Sequence, residues 1–375
     1  MADIETFLKT RHRKLDEVPP LAPDPEPRRR HWPLVSVDDH LLEPRDTFEG
    51  RLPRKFQDRT PRIVEVDGME YWLFEDERVA ISGGNVMKSW EAADMYNGPV
   101  RYDQMRRGAW DVDARIRDMD TAGIYASLCF PSMVFGFAGW RFTRMKDREL
   151  GLACLRAYNQ WVLEEWAGRH PDRLIPNQVS CLWDPELAAE EIRRNAERGF
   201  RSVTFSENPE GLGLPSIHTD HWDPFFRACE ETGTVINLHV GSSSQTLLPS
   251  SDSPQEVLSA LFTVSALSTC VDWIFSKIPV RFPGLKLVLS EGGVGWLPML
   301  LDRLDYIASE YVPGGMTDTW VGVDITPREL LERNFHFASY YDPRTIGQLE
   351  DPLLSHVMYE ADYPHADSSW PDTQE

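Results

Sequence analysis

From residue 33 onward the chain alternates short apolar runs with stretches of helical period. Eight runs read as strands: Leu34–His40, 126–131, 174–182, Ser202–Ser206, 235–240, 285–290, 336–340 and 357–363. Most are rich in Val, Ile, Leu or Phe without strict polar alternation, the pattern of strands covered on both faces in a parallel sheet. Between them the period becomes helical over Val112–Ala122, 146–167, 185–197, 224–232, 254–277 and 295–311. Two of these helices end at Gly123 and Gly233, each directly before the next strand, as a C-cap feeding a short connection requires. Eight β-then-α repeats predict an α/β fold, a single-domain (β/α)8 TIM barrel. An open doubly wound sheet is the alternative, but its first strand normally feeds a glycine-rich turn, and Val37-Asp38-Asp39-His40 contains no glycine.

Three segments depart from the repeat. Residues 43–110 form a long insertion after the first strand, with a strand-like stretch over 65–74 and a loop over 82–99 that carries Gly83, Gly84, Trp90 and Tyr96 and reads as a lid. At the other end, residues 366–375 are too few for the eighth barrel helix, so either that helix is missing or another segment seals the gap. Residues 1–32, with Pro19, Pro20, Pro23, Pro25 and Pro27 among charges, disfavour helix and strand and predict an extended arm, either disordered or lying on a partner subunit. The catalytic domain is then 33–375.

Composition narrows the functional classes. A hydrophobic share of 41% with 26% charged residues suits a soluble globular enzyme with a large core. The net charge of −21 repels phosphate backbones and anionic lipid, and the one basic run is Arg28-Arg29-Arg30, so neither nucleic acid nor membrane is an expected partner. Five scattered cysteines form no Cys-x-x-Cys pair, no export signal is visible, and nowhere do about 18 apolar residues run together, which predicts a cytoplasmic setting.

In a barrel of this kind the reacting groups stand at the C-terminal ends of strands. Strand 1 ends in Asp38-x-His40, strand 5 in His239, strand 6 in Glu291, and strand 8 in Asp362 followed by His365. Side chains alternate along a strand, so Asp38 and His40 share a face, while Asp39 turns away to bond a neighbouring loop or helix N-terminus. Singly, each has a plain structural explanation: a buried histidine is usually a satisfied core group, and an Asp before Tyr-Pro a turn residue. Together they make a net negative buried cluster that costs several kcal/mol per unpaired charge unless a cation joins it.

Four segments then resemble a known family: Val35-Ser36-Val37-Asp38-Asp39-His40-Leu41-Leu42-Glu43-Pro44, Ile236-Asn237-Leu238-His239-Val240-Gly241, Leu289-Ser290-Glu291-Gly292-Gly293-Val294-Gly295-Trp296, and Glu360-Ala361-Asp362-Tyr363-Pro364-His365. The chain resembles the amidohydrolase superfamily over roughly 33–372, specifically the amidohydrolase-2 branch that includes aminocarboxymuconate-semialdehyde decarboxylase and related aromatic-acid decarboxylases. The resemblance implies that Asp38, His40, His239 and Asp362 are metal ligands. Where that branch carries a histidine before Gly-Gly, this chain has Glu291.

The substitution divides the mechanism. Glu291 and His365 are the candidate catalytic groups, and Asp38, His40, His239, Glu291, Asp362 and His365 make six potential ligands, more than a tetrahedral zinc takes. Glu291 as a bridging carboxylate favours two Fe ions, a resemblance to the non-haem diiron monooxygenase offshoot of this fold, and hydroxylation of a lipophilic substrate. The alternative is a mononuclear Zn or Mn hydrolase or non-oxidative decarboxylase of a small carboxylic acid, with Glu291 moving the proton. A third reading is a catalytically silent barrel. The loop 131–140, with Met133, Phe135, Phe137 and Trp140, suggests a lipophilic pocket or plain core packing. Arg45, Lys88 and Arg141 are candidate anion anchors or surface charges. His218-Thr219-Asp220-His221 reads as helix capping more readily than as a metal motif. A homodimer is expected from the arm and the resemblance.

Overall fold

The computed structural model describes residues 2–3, 17–250, 252–309, 320–349 and 353–375. Positions 1 and 4–16 of the expected arm, and 310–311 of the expected helix over 295–311, lie outside the described residues. The chain divides into two compact units, one of Asp3–Leu182 with Tyr359–Glu375, the other of Trp183–Met358.

In the first unit β1 (Leu34–His40) is followed by an antiparallel meander, β2 (Arg62–Val66), β3 (Met69–Phe74) and β4 (Glu77–Ala80), within the insertion. Helix α1 (Val112–Ala122) leads into β5 (Ile124–Phe130), and α2 (Trp140–Arg144) and α3 (Arg148–Trp161) lead into β6 (Leu174–Ile175) and β7 (Asn177–Val179). β1 pairs in parallel with β5, and β5 with β6. The expected strand over 174–182 is broken at Pro176, which has no N–H for a ladder. Helix starts follow cap chemistry: Asp111 accepts from Ala114 N–H at 2.8 Å, and Asp147 from Leu150 N–H at 3.1 Å, so the helix expected from 146 begins at Arg148.

The meander seals the core of this unit. β3 buries Trp72 and Phe74 against Phe135, whose ring lies 5.3 and 5.2 Å from theirs and 5.6 Å from Tyr158. The chain from Glu17 to Trp32 runs extended along its own unit: Ala22 N–H donates to Ser89 O at 2.9 Å, Arg28 N–H to Thr121 O at 2.7 Å, and His31 and Trp32 N–H to the Gln374 amide oxygen. This segment is therefore tied to its own chain, because polar backbone in a proline-rich stretch finds partners on α1 and the C-terminal turn. Residues 366–375 form turns, with Trp370 Nε1 donating to Asp118 O at 3.0 Å.

The second unit repeats the βα pattern. α4 (Pro185–Arg198) is capped by Asp184 and stopped by Gly199 at φ 116°. Then come β8 (Ser202–Ser206), α5 (Asp223–Thr232), β9 (Val235–His239), α6 (Gln255–Phe275), β10 (Leu287–Ser290), α7 (Leu297–Ala308), α8 (Pro327–Asn334) and β11 (Phe335–Ser339). β8, β9, β10 and β11 pair in parallel in that order, with His239 in register with Ser206 and Ser290. β8 and β10 are buried along their whole lengths, which is why they lack polar alternation. By length and composition α6 could cross a membrane, a run the sequence pattern did not bring out; its Trp273 is fully buried and bonds Glu207 O at 2.8 Å.

Gly136 sits at φ 75° in the turn after β5, and a Cβ there would stand 2.1 Å from Trp140 Nε1. We expect Gly136→Ala to cost about 1–3 kcal/mol, read as a lower denaturant midpoint at unchanged m-value; an unchanged midpoint would show that this turn is not tightly determined.

Candidate metal centre

The alternation of β1 sorts its three polar residues as the pattern required. Asp39 faces away from Asp38 and His40; its carboxylate accepts from the Ser127 hydroxyl on β5 and from Tyr363 N–H at 2.9 Å. Burial raises its pKa to about 6, against the pull of the Arg115 guanidinium and of those bonds. Arg115 is itself buried: it donates to the His40 carbonyl and to Gly108 O (2.7 Å), and lies 4.6 Å from the Tyr363 ring centre. Asp362 N–H donates to Asp38 O at 2.9 Å and His40 N–H to Tyr363 O at 2.7 Å, so the segment after Tyr359 runs beside β1.

These backbone bonds bring four of the sequence-predicted residues together in one unit. His40 Nε2 lies 3.4 Å from Asp362 Oδ1 and 3.6 Å from Asp38 Oδ1, and His365 Nδ1 lies 3.0 Å from Asp362 Oδ1. The His40 and His365 rings stack at 3.9 Å. Regular strand ends at Tyr359, short of the expected 363, because Asp362 turns to φ 51° and its carbonyl accepts His365 N–H at 2.9 Å. That left-handed turn is costly for a non-glycine residue and is held by the packing around it. It is what puts Asp362 and His365, three apart in sequence, on one spot.

The cluster fits a divalent cation. Asp38 and Asp362 are wholly buried, and Asp362 Oδ2 and His365 Nε2 lack a hydrogen-bond partner among the described residues. One donor atom from each of His40, Asp362 and His365 lies within 4.8 Å of the others. Burial raises the Asp362 pKa, with His365 opposing it. Two buried carboxylates are stable only if a positive charge joins them, and imidazole and carboxylate donors without thiolate suit Mn, Fe or Zn.

The remaining two candidates meet in the other unit. His239 is buried, its Nδ1 is 2.6 Å from Val240 O, and its Nε2 is 3.6 Å from Glu291 Oε2. A ring whose Nδ1–H is used by a backbone carbonyl presents Nε2 as an acceptor, the tautomer a metal ligand needs. Glu291 takes φ 57°, another left-handed non-glycine.

Other candidates resolve into packing. Arg141 is buried, donates to Val134 O at 3.0 Å and pairs with Glu77 at 2.7 Å; Arg45 pairs with Glu70. His218 pairs with Asp272 at 2.7 Å, outside any cluster of ligands. Of the aromatic loop, Phe135 belongs to the core, whereas Phe137 lies 4.7 Å from the His40 ring and 5.9 Å from His365. Sequence reasoning missed two buried carboxylates. Glu43 accepts from the Ser132 hydroxyl (2.5 Å) and Tyr158 (3.2 Å), and burial lifts it to about 7. Glu207, on a cavity of about 650 Å³, accepts from Gly241 N–H (2.8 Å) and Ser243 (2.9 Å) and is lifted likewise to about 7. For Glu207 the available signal was a lone acid directly after an apolar strand, which also describes many loop residues.

The chain belongs to the amidohydrolase family, whose model (Amidohydro_2) matches residues 32–375. It is 25% identical over 292 residues to the γ-resorcylate decarboxylase of Rhodococcus jostii (strain RHA1), covering 70% of this chain and 80% of that protein. Among solved structures it is similar to the amidohydrolase map2389c of Mycobacterium avium subsp. paratuberculosis K-10, with TM-score 0.66, 21% identity, and 91% and 92% of the two chains covered. It is also similar to 5-carboxyvanillate decarboxylase of Novosphingobium aromaticivorans DSM 12444, complexed with manganese and 4-hydroxy-3-methoxy-5-nitrobenzoic acid, with TM-score 0.57, 19% identity, and 89% and 87% covered. The fold is the expected α/β (β/α)8 barrel of these enzymes.

Replacing Asp362 with Asn keeps shape and removes charge. We expect Asp362→Asn to bind Mn at least tenfold more weakly by calorimetry, with an unfolding midpoint no lower than that of the metal-free parent. An unchanged Mn affinity would remove Asp362 from the site. Glu207 offers a pH test. Its folded pKa of about 7 stands above the ordinary 4.5, so its protonated form is favoured by folding. Stability is therefore greatest below about pH 4.5 and falls as pH rises through 7, by a loss on the order of 3 kcal/mol. Glu207→Gln should flatten that decline in denaturant titrations from pH 5 to 8; parallel declines in both proteins would refute it.

Proposed function

We propose that this enzyme of the amidohydrolase fold is a non-oxidative decarboxylase of hydroxylated benzoates that depends on one divalent metal ion. The observation that carries the reading is the buried cluster of Asp38, His40, Asp362 and His365, two carboxylates and two imidazoles whose donor atoms converge where a cation would balance their charge. The decarboxylase relatives support that reaction class over the diiron monooxygenase favoured by the substitution at Glu291, and manganese over two Fe. Asp38, His40 and Asp362 are the residues to hold the ion. When bound, it supplies a fixed positive charge that orients the substrate's oxygens and withdraws electron density from the ring.

The chain's own residues account for the rest. Cleaving the bond between ring and carboxylate leaves its electron pair on the ring carbon, and one proton must be delivered there as carbon dioxide departs. The reaction is redox-neutral, so no oxidant or reductant is needed. His365, oriented through Nδ1 by Asp362, with Nε2 buried and without a partner among the described residues, is placed to hold and move that proton. Phe137, against both imidazoles, provides an apolar wall that excludes water and suits an aromatic ring. Glu291, beside His239, is the second proton-transfer candidate.

The test is carbon dioxide release from γ-resorcylate and from 5-carboxyvanillate by Mn-loaded protein, with oxygen consumption followed in parallel. Release without oxygen uptake is expected, lost on metal removal and restored by Mn. His365→Gln should retain Mn and lose about 10²-fold or more in kcat. Oxygen uptake with a hydroxylated product would restore the monooxygenase reading.

A further inference from the structure

Of the three cations first considered as anion anchors, Arg45 and Arg141 are spent on Glu70 and Glu77. Lys88 is not. It stands in the buried turn Gly83–Ser89, whose neighbours Met87 and Ser89 are inside the protein, and is itself half-buried. Its backbone N–H donates to Pro364 O at 3.0 Å, which fastens this turn to the short link between Asp362 and His365. Asn85 accepts Met133 N–H at 2.8 Å, which fastens the same turn to the loop that carries Phe137. Lys88 is thus held between the ligand turn and the apolar wall.

Its charge has no dedicated partner. Asp362 is foremost among the carboxylates that act on it, ahead of Asp367 and Asp372, yet none closes an ion pair with it among the described residues. A cation bound to Asp362 would consume most of that stabilisation. What remains is a half-buried ammonium beside the candidate metal centre, placed to meet an anion that enters the site. A lysine ammonium binds oxyanions as a point charge with three rotatable donors, so it tolerates either a carboxylate or a phenolate.

We propose that Lys88 binds an anionic oxygen of the substrate at the metal centre, so that the site selects aromatic acids over their neutral counterparts. The inference rests on the decarboxylase reading for its substrate class, but its test does not require turnover.

Mn-loaded wild type, Lys88→Met and Lys88→Arg are titrated by calorimetry with γ-resorcylate, with 4-hydroxy-3-methoxy-5-nitrobenzoic acid and with neutral resorcinol, and bound Mn is counted in each. Lys88→Met should weaken both acids about tenfold or more, leave resorcinol and Mn content unchanged, and be largely rescued by Lys88→Arg. If turnover occurs, KM should rise in the same proportion with a smaller change in kcat. Equal affinity of wild type and Lys88→Met for the acids overturns the proposal. So does loss of Mn from both variants, which would make Lys88 a support of the ligand turn, and so does failure of wild type to bind either acid. Tight, Lys88-dependent binding without carbon dioxide release would sink the proposed reaction while leaving this inference standing.

Discussion

Two carboxylates, Asp38 and Asp362, are buried completely beside two imidazoles, and that arrangement is tolerable only with a positive charge among them. Several kcal/mol would otherwise oppose the burial of each unpaired charge. The surrounding structure is organised to hold the cluster despite that cost. Arg115 grips the carbonyl of His40, Asp39 ties Ser127 to Tyr363, and reciprocal backbone bonds join β1 to the segment carrying Asp362. None of these contacts needs to touch substrate. Their effect is to fix where four side chains point.

Function follows from how that fixed cluster is enclosed. One wall is Phe137, against both imidazoles, and the turn carrying Lys88 is bonded both to the ligand turn and to the loop of Phe137. An apolar wall with a lysine beside the candidate metal centre is what the proposed substrate, a flat ring bearing anionic oxygens, would need. In the proposed decarboxylation the proton for the ring carbon comes from a group held by geometry more than by exposure, and His365 is so held by Asp362.

Much of this was legible in the sequence, for physical reasons. Fully covered parallel strands lack alternation, so β8 and β10 stood out as apolar runs, and the period-2 rule alone separated Asp39 from Asp38 and His40. Cap chemistry placed the end of α1 at Gly123. Less was legible where one residue overrides a pattern: Pro176 split a strand, and the left-handed Asp362 ended another early. Glu43 and Glu207 escaped notice because a buried acid in a loop is revealed by its partners, which are distant in sequence. Over Glu17–Trp32 the expected arm runs extended, hydrogen-bonded to Thr121 and Gln374 of its own chain. A carboxylate at Glu291 in place of a histidine suggested a bridged iron pair, whereas the relatives are decarboxylases, one of them complexed with manganese, and back the non-oxidative alternative better.

The central claim is that the buried cluster exists to hold one divalent ion. Counting metal by mass spectrometry on protein equilibrated in turn with Mn, Zn and Fe, alongside the metal-stripped chain, tests it most directly. The account requires about one tightly held ion per chain, as the nitrogen and oxygen donors of Asp38, His40 and Asp362 at one spot would bind. Two iron ions per chain, or no retained metal at all, would contradict it.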